Sequence, residues 1–114
     1  MDSMMWKAQL RKGAAELVVL AVLERGEAYG PSILEQVCRT GDLVTEGALY
    51  PLLNRLERDG KLVARWELSG PASRPRKYYQ LSAEGTRLLA EMRELWTEFH
   101  SAVSRIVEDG HGSR

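Results

Sequence analysis

The sequence predicts a mainly α fold of the α+β class, with three helices, a small β-hairpin and one long C-terminal helix. Three observations predict it. Apolar residues recur at helical spacing in three separate stretches before Gly60. The spacing then switches to alternation between residues 61 and 81. After Ser82 helical spacing returns and runs to about Asp109 with no proline in the way.

The first helix is expected from about Gln9 to Arg25, with Trp6 in an N-terminal arm ahead of it. Leu10, Ala14, Leu17, Val18, Ala21 and Val22 fall at helical spacing, and Gly26 ends the run. Apolar around much of its girth, this helix should be central. In "EAYGPSILEQVCRTG", Pro31 suits a first helical position, where its missing N–H is not needed. Ile33, Leu34, Val37 and Cys38 give a short apolar face, with Cys38 read as a small buried hydrophobe. Gly41 closes this helix, and "GDLV" leads to Thr45, a good N-cap.

The third helix is expected over residues 45–59, ended by Gly60. Leu49, Leu52, Leu53 and Leu56 form its core stripe, and Glu46, Tyr50, Asn54, Glu57 and Arg58 face away. Pro51 is tolerable because the carbonyl it clashes with belongs to Gly47, which can shift. The alternative is a helix that starts near Leu49, with Glu46 to Ala48 as loop.

"KLVARWEL" alternates, with Leu62, Ala64, Trp66 and Leu68 on one side. "RKYYQLS" is a second strand, and "SGPASRP" between them is a turn-rich tip. Ser82 caps the last helix, which at 1.5 Å per residue reaches about 40 Å. This order is that of a winged helix-turn-helix: a domain over 1–81 with a two-stranded wing at 61–81, a helix at 82–109 and a disordered tail at 110–114.

Composition narrows the function. The 114 residues carry 16 Lys/Arg against 16 Asp/Glu, so net charge is zero, yet its distribution is uneven. From Thr45 to Gln80 there are seven basic and four acidic residues; from Leu81 to Gly110 there are three and six. A basic middle suits phosphate. One cysteine excludes an internal disulfide, and His100 and His111 have no zinc-type spacing to it. No apolar run approaches a membrane span, and "MDSMMWKAQLRKG" lacks signal-peptide features, so a cytoplasmic protein without a membrane partner is expected. No phosphate-binding glycine loop or nucleophile elbow appears, so no enzyme and no cofactor are expected.

Double-stranded DNA is the expected partner. A recognition helix points its N-terminal residues at base edges. Gly47 and Ala48 provide clearance there, and exposed N–H groups after Thr45 and Glu46 attract phosphate. Tyr50 offers a ring to a thymine methyl or a hydroxyl to phosphate. Asn54 and Arg58 extend the face, and Arg55 suits the DNA backbone. In the wing, Arg74, Arg76 and Lys77 suit phosphate or the minor groove. Tyr78 and Tyr79 point to opposite faces, one inward and one free for the DNA backbone. Taken alone, Arg74 to Lys77 would read as a solvated edge that blunts strand pairing.

In the last helix Leu88, Met92, Leu95, Phe99, Ala102 and Ile106 form a heptad seam. Leu89, Trp96, Val103 and Val107 widen it. A body this small cannot cover the stripe, so a second copy of the helix is expected to do so, giving a two-fold homodimer. Trp96 is read as interface core. The competing reading is a platform for a small apolar or aromatic effector, with Met92, Phe99 and Trp6 around it.

"ELVVLAVLERGEAYG", "EGALYPLLNRLERDGKL" and "RPRKYYQLSAEG" together resemble the PadR-like transcriptional regulators, in particular the small subclass with one C-terminal dimerisation helix. The resemblance covers nearly the whole chain after Gln9 and departs at Pro31, where a bulky residue is common. It implies a homodimeric repressor. It places the family's recognition-helix tyrosine on Tyr50 and its wing Lys-Tyr-Tyr on Lys77, Tyr78 and Tyr79. It also implies that a dimer-interface pore can take an effector in some members. The rival reading is a winged-helix protein–protein interaction module that binds no DNA.

Overall fold

The computed structural model describes residues 2–68 and 74–112, with side chains through Asp109. Its elements are α1 (Ser3–Leu23), β1 (Ala28–Tyr29), α2 (Gly30–Gly41), α3 (Glu46–Arg58), β2 (Leu62–Glu67), β3 (Arg76–Leu81) and α4 (Ala83–Gly112).

Helix α1 begins well before Gln9. Asp2 is its N-cap, and the Asp2 carboxylate accepts from the Met5 N–H at 2.9 Å. That cap and a run of good helix formers extend the helix backward, so Trp6 lies on α1 and not in an arm. The C-terminal half of α1 supplies Val19, Leu20 and Leu23 to the core. Helix α2 buries Ile33 and Val37, one turn apart. Cys38 is exposed, because it sits 100° round the helix from Val37 and past the core edge. Asp42, with φ 55°, makes the left-handed exit from α2.

Helix α3 starts at Glu46. Thr45 accepts the Ala48 N–H on its hydroxyl at 3.3 Å, and its carbonyl accepts the Leu49 N–H at 2.9 Å. Glu46 to Ala48 are therefore helical, and the later start near Leu49 is excluded. Pro51 sits inside the helix. At the other end Gly60 takes φ 79°, Lys61 N–H reaches the Leu56 carbonyl at 2.8 Å, and Gly60 N–H reaches Glu57 at 3.0 Å. This is a Schellman close. It aims the chain directly into β2.

The wing has more than two strands. β1 pairs with β3 (Ala28↔Tyr79, Tyr29↔Tyr78), giving a three-stranded antiparallel sheet in the order β1-β3-β2. Two residues are too few to show a period, so β1 was invisible to the alternation argument. Leu62 and Tyr79 are buried, while Trp66 and Leu68, expected on the same side as Leu62, are 64% and 73% exposed. The alternation holds, but the core stops one rung earlier.

Ser82 joins sheet to α4. Its hydroxyl donates to the Gly60 carbonyl at 2.6 Å and accepts the Gly85 N–H at 3.0 Å. Gly85 is buried against the Lys61 carbonyl, with no room for a Cβ. Leu89 is buried in the core, and Leu88 and Met92 pack against it. Those three positions are therefore wholly or partly spent on the chain's own body. Arg93 clamps α4 to the end of α1 through both oxygens of Glu24, at 2.7 and 3.2 Å. The helix then continues to Gly112, so residues 110–112 are helical and not a disordered tail; residues 113–114 lie outside the described residues. No proline interrupts the backbone ladder there, so it runs on past Asp109.

Candidate nucleic-acid interface

Helix α3 buries Leu49, Leu52, Leu53 and Leu56 and turns Gly47, Pro51, Asn54 and Arg58 to solvent. These four are spaced four, three and four apart, so they form one stripe opposite the leucines. Pro51 is the member that sequence reasoning treated only as a defect. Its ring is an apolar element of the open face. Having no N–H, it also cannot donate to the Gly47 carbonyl. Glu46, Ala48 and Arg55 are exposed on the flanks, as is Thr45 at the cap. Arg55 is turned back toward α1, where Glu16 holds it at 3.1 Å. Arg58 is 3.6 Å from Asp59 and otherwise open.

Tyr50 does not lie on the open stripe. It is half-buried and packs on the core, and its Cε1 comes within 3.0 Å of where a Cβ on Gly30 would stand. Tyr50 falls one helical step from Leu49 and three residues before Leu53, at the edge of the leucine stripe. Burial raises its hydroxyl pKa, and the nearby Glu46 carboxylate adds to the rise.

The two wing tyrosines separate as alternation requires. Tyr79 is 5% exposed and belongs to the core, so it has no surface to offer DNA. Tyr78 is half-buried on the other face, between Tyr29 (ring centroids 5.7 Å) and the Arg65 guanidinium (4.9 Å). Arg65 is itself held by Glu27, at 2.6 and 2.7 Å, and by Glu67 at 3.0 Å. Lys77, expected as a free phosphate contact, instead meets Glu57 of α3 at 2.9 Å and is half-buried. That bond is the chief reason its pKa is raised. Arg76 lies over the Tyr29 ring at 5.3 Å, and Arg74 is exposed. Residues 69–73 of the expected tip lie outside the described residues.

A second feature lies between α1 and α4. Gln9, Leu10, Gly13, Ala14 and Leu17 of α1 and Met92, Leu95, Trp96 and Phe99 of α4 line a groove of about 460 Å³. Trp96 stands 5.2 Å from the His100 ring, centroid to centroid. Met92, Trp96 and Phe99 come together as the sequence suggested. Trp6 is not among these wall residues; α1 supplies its Leu10 to Leu17 stretch instead. Beyond the groove Ala102, Val103 and Ile106 continue the exposed face.

A helix-turn-helix pair with an open, small-residue recognition face, an adjoining three-stranded wing and a protruding C-terminal helix defines a winged-helix DNA-binding protein. The family follows from the comparisons. Residues 19–91 match the model of the transcriptional regulator PadR-like family, and the chain belongs to that family. It is 31% identical over 90 residues to the transcriptional regulator Rv3488 of Mycobacterium tuberculosis, covering 79% of this chain and 82% of that protein. A PadR-like transcription factor from Bacteroides fragilis superposes with TM-score 0.73 at 36% identity, over 88% of this chain and 96% of that one. A PadR family regulator from Eggerthella lenta gives 0.78 at 35% identity, over 89% and 88%. Among the described residues no helix is long and apolar enough to cross a membrane.

Proposed function

We propose that this chain works as a homodimeric repressor that binds a pseudo-palindromic operator. The open stripe of α3 enters the major groove, and Arg74 and Arg76 of the wing meet the flanking backbone. The observation that carries the reading is the stripe itself. Gly47 and Pro51 let the α3 backbone approach base edges, Asn54 has the amide that pairs with adenine, and Arg58 reaches guanine or phosphate. Thr45, Glu46 and Ala48 frame its leading end. Arg55 and Lys77 contribute after leaving Glu16 and Glu57. Tyr50 and Tyr78 each offer one ring edge. Repression is the mode the family resemblance implies.

Dimerisation sets the geometry of the operator. The exposed seam of Leu95, Trp96, Phe99, Ala102, Val103 and Ile106 needs a cover, and a second α4 supplies one of matching length and chemistry. Two recognition helices related by that two-fold then address half-sites about one DNA turn apart. In this reading the α1/α4 groove opens beside the seam, where a small apolar or aromatic effector seated against Trp96 biases the dimer angle.

The test is fluorescence anisotropy on DNA from directly upstream of the chain's own gene, at two salt concentrations and with random competitor. Tight binding that survives competitor and falls steeply with salt is the expected result. Absence of binding at low salt sinks it. A second reading, a protein-interaction module without DNA, draws support from the pairing of Arg55, Arg65 and Lys77 to carboxylates. It predicts that second outcome.

A further inference from the structure

The wing carries an apolar rung that the reading above leaves unused. On its inward face the register pairs are Leu62↔Leu81, Ala64↔Tyr79 and Trp66↔Lys77. The first two rungs close over the core. At the third the core has ended, and Trp66 stands in solvent with Leu68 beyond it on the same face. The ring is not loosely placed. The Lys77 ammonium lies 5.6 Å from its centroid, and Glu57 of α3 holds that ammonium at 2.9 Å. Glu57 is one helical turn from Asn54. The Trp66–Lys77 rung therefore flanks the open face of α3.

An exposed Trp on an edge strand is a liability unless something covers it, because uncovered apolar surface and free strand edges invite association. The surroundings say what kind of cover fits. Lys77 adjoins the ring and Arg74 lies further along the same hairpin, while Arg76 turns to the other face over Tyr29. The matching surface has apolar walls and an anionic rim. A DNA minor groove has both, with deoxyribose walls and phosphates along the edge.

We propose that Trp66 packs against the deoxyribose wall of the minor groove next to the major groove that α3 enters. As it does so, Lys77 exchanges Glu57 for a phosphate on that rim. This rests on the DNA-binding reading above. It makes Trp66 a determinant of affinity that senses groove width, so narrow A·T-rich flanks are favoured over G·C-rich ones.

The two partners of the rung differ in their salt signature, and the test uses that difference. A duplex selected by the wild-type protein from a random pool is titrated against wild type, Trp66→Ala, Trp66→Phe and Lys77→Gln across a salt series. An apolar contact releases no counterions. Trp66→Ala is therefore expected to bind about tenfold more weakly at every salt concentration with an unchanged slope. Trp66→Phe should recover most of the loss. Lys77→Gln should flatten the slope by about one. Sedimentation of each variant accompanies the titration. Trp66→Ala binding within twofold of wild type overturns the proposal. So does a loss of affinity traced to a broken dimer, which would make the ring a contact between copies. Wild-type protein that selects no duplex at all removes the DNA reading itself, an outcome distinct from an indifferent Trp66.

Discussion

Tyr78 and Tyr79 are adjacent in the chain, and one peptide bond separates a surface residue from a core residue. Truncating the buried ring in Tyr79→Ala should cost about 3–5 kcal/mol, read as a lower denaturation midpoint in urea. An unaffected midpoint would show that β3 is in a different register. Asn54→Ala is the opposite case. It faces solvent, so stability should hold within about 0.5 kcal/mol. Discrimination between operator and random DNA should fall by about 1–3 kcal/mol in competition binding. The exposed ion pairs act through pH. Arg65 donates to both Glu27 oxygens and so lowers the Glu27 pKa, against the opposing effect of desolvation. A carboxyl with a lower pKa folded than unfolded contributes stability above its unfolded value, and that is lost as pH falls through the folded value. The difference in unfolding free energy between wild type and Glu27→Gln should therefore be present at neutral pH and close below the ordinary carboxylate range. A gap independent of pH would mean that the Arg65 pair is not its source.

The junction between α3, β2 and α4 fixes how wing and long helix sit relative to the recognition helix. Gly60 turns the chain, Ser82 bonds back to Gly60, and Gly85 lets α4 lie directly on the Lys61 carbonyl. A methyl group there runs into the Lys61 carbonyl, with the Leu81 side chain beside it, so Gly85→Ala should destabilise by about 1–3 kcal/mol, visible as a fall in Tm. A neutral result would mean that α4 can slide on the sheet. Several of these elements were legible in the sequence, for reasons that also explain the misses. Thr45, Gly60 and the four leucines mark α3 because caps and helical period are local signals. The reach of α1 back to Ser3 hung on one residue, Asp2, whose capping role shows only once the next turn is known to be helical. β1 has two residues and borrows its order from β3. Alternation put Trp66 on the same side as Leu62, but period alone does not say where the core ends. For the candidate site, Asn54 and Arg58 follow from the helical wheel and Gly47 from its missing side chain, but the same wheel put Tyr50 on the open face, where packing on the core takes it away. Glu16, Glu27 and Glu57, which pair with Arg55, Arg65 and Lys77, come from distant segments, and no spacing rule reveals them.

As a whole the chain is longer than a body of its size should be. Its radius of gyration is 17.0 Å, against about 13 Å for a compact domain of this length. The excess is α4, whose 30 residues reach about 45 Å while its contribution to the core ends at Met92. Past that point Phe99 is 67% and Ile106 79% exposed, an apolar surface that a stable monomer has no reason to display. If a second α4 covers it, a carboxylate in the seam has to be buried without a partner. Leu95→Asp and Phe99→Asp should then yield monomer in sedimentation equilibrium where wild type is a dimer. The recognition face lies on a different helix, so each monomer keeps its half-site contacts. It loses only the second, tethered half-site, and operator affinity should fall steeply while binding to an isolated half-site changes little. Dimers that persist in both variants would move the interface off α4 and leave the stripe without an owner. Monomers that also lose half-site binding would show instead that the dimer holds α3 and the wing in shape.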